Sequence, residues 1–164
     1  GDDLIDERDP LLPQMIEQHA KRGAAVVALM EVPREHIHLY GVAAVEPTDD
    51  EGVVRITGMV EKPSAEDAPS NLAVIGRYVL GADIFDVLEH TEPGKGGEIQ
   101  LTDALQEQAA DPDGNGVFGV VFRGRRNDTG AKIDYIQAIV QLAVARPDLG
   151  PELRDWLKDF AETL

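Results

Sequence analysis

Residues 24–32 read AAVVALMEV, an apolar run interrupted only by Glu31. No alternation marks one side as wet, so the run suits a β-strand buried on both faces. Working backwards, Leu12, Met15, Ile16 and His19 recur at helical spacing, and Lys21, Arg22 and Gly23 close the pattern. Asp9-Pro10 reads as the N-cap and first helical position. Working forwards, residues 40–45 (YGVAAV) and 53–60 (VVRITGMV) are two more strand-like runs, joined by an acidic turn over 48–52. No helical pattern separates these three strands, so part of the sheet is expected to be antiparallel or to form a side hairpin.

Beyond residue 63 the strands and helices alternate. Residues 72–80 (LAVIGRYVL) and 117–122 (VFGVVF) read as strands. A short helix is expected over 82–89 with Ile84, Phe85 and Leu88 on one face, and another over 99–110. The DPDGNG cluster at 111–116 is a turn, and 123–130 is a loop. A helix after Gly130 should turn Ile133, Ile136, Val140, Ala143 and Val144 inward. A terminal helix from Pro151 carries Leu153, Trp156, Leu157, Phe160 and Leu164 on one face, its burial or subunit contact open. The pattern predicts an α/β fold with helices layered on a mixed, mostly parallel sheet. The expected division is residues 1–150 as one body and 151–164 as a terminal amphipathic helix.

Composition narrows the chemistry. The 164 residues hold 15 Lys and Arg against 31 Asp and Glu, a net charge of −16 shared evenly by the two halves. Such a surface has no general attraction for nucleic acid or an anionic membrane. The absence of cysteine removes disulfides, thiolate metal sites and cysteine nucleophiles. The longest apolar run falls far short of the ~20 residues that a membrane helix needs. The first residues, Gly-Asp-Asp, open inside a patterned segment without Met, as in a piece of a longer chain.

In folds of this class ligands gather at strand ends. Asp2 and Asp3 place two carboxylates at such an end, either as hard-oxygen ligands for Mg²⁺ or as a solvated pair. Glu61-Lys62-Pro63 sets an acid beside a base where Pro stops strand pairing. A Glu accepts from sugar hydroxyls and a Lys neutralises phosphate, although the trio also reads as an ordinary strand end. GKGGEIQLTD at 94–103 lacks a P-loop pattern and reads as a flexible loop before a helix, with Glu98 and Gln100 in reach of a ligand. RGRRNDTGAK at 123–132 holds four of the fifteen cations together with Asp128. Asp128 with the helix-start Lys132 reads either as a metal and phosphate site or as a helix cap and a solvated side chain. His19, His36, His38 and His90 lack metal-ligand spacing and read as surface residues.

In order along the chain, GDDLID, LYGV, VEKP, NLAVIGRYVL, GEIQLTDAL, DTGAK and PELRDWL resemble the second half of the sugar-phosphate nucleotidyltransferases. Within that family they look most like the bacterial UTP–glucose-1-phosphate uridylyltransferases, and the likeness runs from residue 1 to 164. It implies a Rossmann-like three-layer α/β/α nucleotidyltransferase domain lacking its N-terminal part. The implied reaction joins UTP and glucose 1-phosphate into UDP-glucose and pyrophosphate, with Mg²⁺ as cofactor. The sugar phosphate oxygen attacks the α-phosphorus of the nucleotide without a covalent enzyme intermediate, so positioning and charge neutralisation carry the rate.

Position by position, the resemblance makes Asp2 and Asp128 metal ligands, with Asp3 a weaker choice. It brings the Gly41 backbone close to the sugar. It gives Glu61 the glucose hydroxyls and Lys62 the sugar phosphate, lines the hexose pocket with Glu98 and Gln100, and sets Lys132 on phosphate. Lys62 and Lys132 are then the catalytic residues. Asn127 departs from the aromatic or His residue common before that Asp. The resemblance also implies a cytoplasmic location, a dimer or tetramer at full length, and no activity for the chain alone, whose missing first strands would leave an apolar sheet edge bare. Thymidylyl- or cytidylyl-transferring relatives share several of the motifs. A non-catalytic regulatory module that binds sugar nucleotides is the alternative outside catalysis.

Overall fold

The computed structural model describes residues 3–6 and 8–164. The chain separates into two compact units, one of residues 7–124 and one formed by residues 1–6 with 125–164. The terminal helix therefore shares a unit with the segment from 125 onward.

The larger unit contains α1 (Leu12–Arg22), β2 (Ala25–Glu31), β3 (Gly41–Pro47), β4 (Val53–Glu61), β5 (Leu72–Val79), α2 (Ile84–Leu88), α3 (Leu101–Ala110) and β6 (Val117–Val121). Strand β1 (Asp3–Ile5) belongs to the smaller unit. The run at 24–32 does form the buried central strand. Val26, Val27, Ala28 and Leu29 are inaccessible to solvent. Val27 and Leu29 pack with Ile56, Ala104, Leu105 and Val117, while Val26 and Ala28 alternate to the other face. Helix α1 packs on β2 and β5, and α3 packs on β4 and β6. At about 25 cal/mol per Å² of apolar area, burial on both faces makes β2 a substantial contributor to this core.

The pairing order is β5 beside β2 and β3, β4 beside β3 and β6, and β6 beside β2, which closes a ring. The sheet is mixed, as expected, but the parallel share is smaller than the sequence predicts. Among the described residues only β2 and β6 run parallel, and the other pairings are antiparallel. The cause is connection length. A parallel pair needs a long crossover, and here α2 and α3 lie between β2 and β6 in sequence. By contrast β3 and β4 join through the tight turn at 48–52, in which Thr48 Oγ1 donates to the Val53 carbonyl at 2.7 Å.

Three local details differ from the sequence pattern. Helix α1 begins after Leu11 with Pro13 in its first turn, so Asp9-Pro10 lies ahead of the helix. Within α1, Met15 and Gln18 are buried, whereas Leu12 and Ile16 are half exposed. Gln18 is accommodated because its Oε1 accepts from Arg22 Nε at 3.0 Å. Phe85 also faces solvent while Ile84 takes the buried position.

The smaller unit pairs β1 antiparallel with β7 (Arg126–Asp128), inside what the sequence presents as a loop. Three residues are too few to show an alternating pattern. Helix α4 (Lys132–Ala145) packs on β7 and on α5 (Gly150–Ala161). Ala138 is its buried residue, whereas Ile133 and Ile136 are 62% and 57% exposed, contrary to the inward face expected for them. Periodicity identifies an apolar face but not what covers it, and this helix is apolar nearly all round. On α5, Trp156 and Phe160 stack at 5.2 Å between ring centroids while Trp156 remains 55% exposed. No described helix is long and apolar enough to cross a membrane.

Candidate active site

The antiparallel register of β3 and β4 sets Gly41 directly opposite Glu61. Strand β4 ends there because Pro63 has no N–H to continue a ladder. Lys62 turns the chain with φ of 46°, in the left-handed region that a non-glycine residue seldom adopts. Its backbone N–H donates to the Tyr40 carbonyl at 3.0 Å, which holds this turn. A backbone outlier of this kind costs about 1–3 kcal/mol and persists where its surroundings over-determine it. The result is that Lys62 Nζ stands 3.7 Å from Glu61 Oε1.

The two side chains differ in environment. Glu61 is only 15% exposed, while Lys62 is 53% exposed. The buried carboxylate is held from below by α3. Thr102, 7% exposed, donates its hydroxyl to Glu61 Oε2 at 2.6 Å. Gln106, one turn on, accepts the Met59 N–H at 2.5 Å and ties the same helix to the same strand. Gly41 completes the arrangement: a Cβ there would sit 3.0 Å from Glu61 Oε2 and 3.2 Å from Thr102 Oγ1. Tyr78 on β5 also senses this carboxylate. Burial pushes its phenol above the ordinary 10.0, and the negative charge of Glu61 pushes it further. A fixed acceptor beside an exposed ammonium can bind a molecule that carries both hydroxyls and a phosphate.

Of the sequence-level candidates, the structure thus brings Gly41, Glu61 and Lys62 together. Glu98 is exposed in the loop before α3, its carbonyl accepting the Gly94 N–H at 2.9 Å. Gln100 is the N-cap residue of α3, its carbonyl accepting from Asp103 and Ala104. That segment meets Glu61 through Thr102, which the sequence reading passed over. The missed signal was its place in the first turn of the helix that follows Gln100.

In the smaller unit, Asp3 lies directly opposite Asp128 in the β1–β7 ladder. Opposed carboxylates repel. Arg126 offsets this, with its Nη2 at 2.8 Å from Asp3 Oδ1 and 3.8 Å from Asp128 Oδ2. Asp128 Oδ1 accepts the Gly130 N–H at 3.0 Å, and Lys132 is exposed at the start of α4. Asp2 lies outside the described residues. No group of three or more His, Asp or Glu among the described residues gathers as a metal cluster. The Asp3–Asp128 pair, with Arg126 set against both, offers a cation two protein carboxylates at most.

A cavity of about 310 Å³ opens where β2 and β6 begin. Its lining carries Asp83, Asp86, Glu107 and Asp111 and, among the described residues, neither Lys nor Arg, so it offers an anionic ligand no cation.

Comparison with known proteins identifies the family. The Nucleotidyl transferase family profile matches residues 1–144. A UTP–glucose-1-phosphate uridylyltransferase of Pseudomonas aeruginosa is 50% identical over 132 residues, covering 80% of this chain and 46% of its own length. A Streptococcus pyogenes protein of the same name is 38% identical over 168 residues, covering 100% of this chain and 54% of its own. A crystal structure of UDP-glucose pyrophosphorylase complexed with UDP-glucose superposes with a TM-score of 0.80 at 45% identity, covering 88% of this chain and 54% of that one. The chain spans about half the length of these relatives. By the match of residues 1–144 to the family profile and by the α/β fold it shares with the solved structure, the chain belongs to the nucleotidyl transferase family.

Proposed function

We propose that this chain supplies the sugar-phosphate half of an enzyme that transfers a uridylyl group from UTP to glucose 1-phosphate. The products are UDP-glucose and pyrophosphate. The observation that carries this reading is the Glu61–Lys62 pair at the end of β4, a mostly buried acceptor fixed beside a half-exposed cation. Glu61 accepts hydroxyls of the hexose and Lys62 binds its phosphate. Glu98 and Gln100 stand on the loop side of the hexose, with Gly41 beneath it. Lys132 contacts phosphate from the first turn of α4, where a helix N-terminus also favours an anion.

Asp128 and Asp2, with Asp3 opposite Asp128, would hold Mg²⁺, which when bound neutralises phosphate charge. Lys62 and Lys132 would do the equivalent with side chains, each neutralising phosphate charge from its own unit. Positioning and neutralisation are the main contributions a protein makes to phosphoryl-type transfer. The names of the relatives support uridylyl over thymidylyl or cytidylyl transfer. A cytoplasmic homo-oligomer is the expected state, and the exposed apolar residues of α4 and α5 support a contact between copies.

Calorimetric titration tests the reading. Glucose 1-phosphate should bind more tightly than glucose or inorganic phosphate, because it alone uses Glu61 and Lys62 together. Equal affinity for all three would refute a sugar-phosphate site. A nucleotide panel on the enzyme containing this chain, read as pyrophosphate release, decides UTP against dTTP and CTP.

A further inference from the structure

We infer that Thr102 is a positioning residue for the sugar-binding carboxylate: its hydroxyl holds one oxygen of Glu61 so that the other faces the ligand beside Lys62. The inference rests on the sugar-phosphate reading of the Glu61–Lys62 pair. The two carboxylate oxygens have separate surroundings. Oε2 receives the Thr102 hydroxyl at 2.6 Å and lies over the Cα of Gly41, where a Cβ would approach to 3.0 Å. Oε1 is the atom 3.7 Å from Lys62 Nζ. A carboxylate can accept about four hydrogen bonds, and a free one rotates between equivalent poses. Here a charge-assisted bond from a buried donor removes that freedom.

Threonine is well suited to the task. Its branched Cβ leaves the hydroxyl few χ1 rotamers to choose among, and the one adopted meets Glu61. The helix carrying it is in turn fixed to β4 by the Gln106–Met59 bond. Glu61 is thus preorganised by α3 rather than by its own strand. The affinity gained comes from ordering that has already taken place before the ligand binds.

The test compares Thr102→Val with Thr102→Ser. Valine keeps the shape and removes the donor, while serine keeps the donor. The enzyme containing this chain is titrated with glucose 1-phosphate, and thermal unfolding is followed in parallel. The expected result is a rise in Kd of roughly tenfold for Val, the scale of one net hydrogen bond, with Ser within about threefold of wild type. Equal binding by wild type and Val overturns the role of Thr102 and leaves the sugar-phosphate reading standing. Equal losses for Val and Ser also overturn it, since packing would then be the cause.

A second readout needs no ligand. The Tyr78 phenol is raised partly by the Glu61 charge. NMR titration of ring-labelled tyrosine should show its ionisation moving down in Glu61→Gln, where the charge is removed, and shifting in Thr102→Val as the carboxylate leaves its fixed pose. A Tyr78 titration that moves in Glu61→Gln and stays put in Thr102→Val overturns the positioning role. Absence of glucose 1-phosphate binding by wild type refutes the sugar-phosphate reading, while the tyrosine titration still decides whether Thr102 fixes Glu61.

Discussion

Thr102 and Glu61 are 41 residues apart in sequence, yet a hydroxyl-to-carboxylate bond of 2.6 Å joins them. The bond links the first turn of α3 to the last residue of β4. It makes the acidic half of the site a property of helix-on-sheet packing, while Lys62 owes its place to a strained turn.

Lys62→Ala should weaken glucose 1-phosphate binding by about 1.5–3 kcal/mol, the scale of a hydrogen bond to a charged group. Folding should be little affected, because the side chain is 53% exposed. Calorimetric titration of the variant checks this, and an unchanged Kd would remove Lys62 from the phosphate site.

Gly41→Ala should disturb the site through its shape. The new methyl would meet Glu61 Oε2 and Thr102 Oγ1 at 3.0 and 3.2 Å, so one of them must move. Overpacking of this kind costs about 1–3 kcal/mol. The expected outcome is a chain that still folds, with a modestly lower melting temperature and weakened sugar-phosphate binding. Binding as tight as wild type would show that Glu61 can shift at no cost to the site.

Asp50 should influence acid stability. Lys21 and Arg22 hold its carboxyl below the ordinary 3.8, chiefly through the Lys21 hydrogen bond. A carboxylate whose folded pKa is depressed stabilises the native state above its unfolded pKa and loses that contribution as pH falls through the folded value. Urea melts of wild type and Asp50→Asn should therefore differ at neutral pH and converge as pH drops below 3.8. Salt should shrink the gap at neutral pH, since the partners are exposed enough to be screened.

Trp156→Ala should cost little within the subunit. The ring is 55% exposed, and its stacking on Phe160 is worth about 0.5–1.5 kcal/mol. A larger effect on sedimentation than on melting temperature is the expected outcome if copies of the chain meet on this helix. Unchanged sedimentation would remove α5 from the subunit contact.

The fold was legible wherever a pattern was long enough to carry information. The apolar run at 24–32 announced a strand buried on both faces, and Val26, Val27, Ala28 and Leu29 are inaccessible to solvent. Missing helical signals between the first strands announced the antiparallel β3–β4 pair. What failed was short or two-sided. A three-residue strand such as β7 has no period to detect, and α4 is apolar on too many sides for the pattern to choose one.

The site divides along the same line. Glu61 and Lys62 are sequence neighbours stopped by Pro63, so local chemistry alone marked them, and by itself the sequence determined which residues could accept a hydroxyl and neutralise a phosphate. It also determined the acidic, cysteine-free character, which offers nucleic acid no general attraction and supplies no thiolate. Only the tertiary structure decided how the carboxylate is held. The partnership of Thr102, Gly41 and Tyr78 with Glu61 depends on strand register and on the seating of α3 against β4. Such contacts arise from packing between distant segments. Propensity and periodicity act over a few residues and carry no record of which distant segments meet.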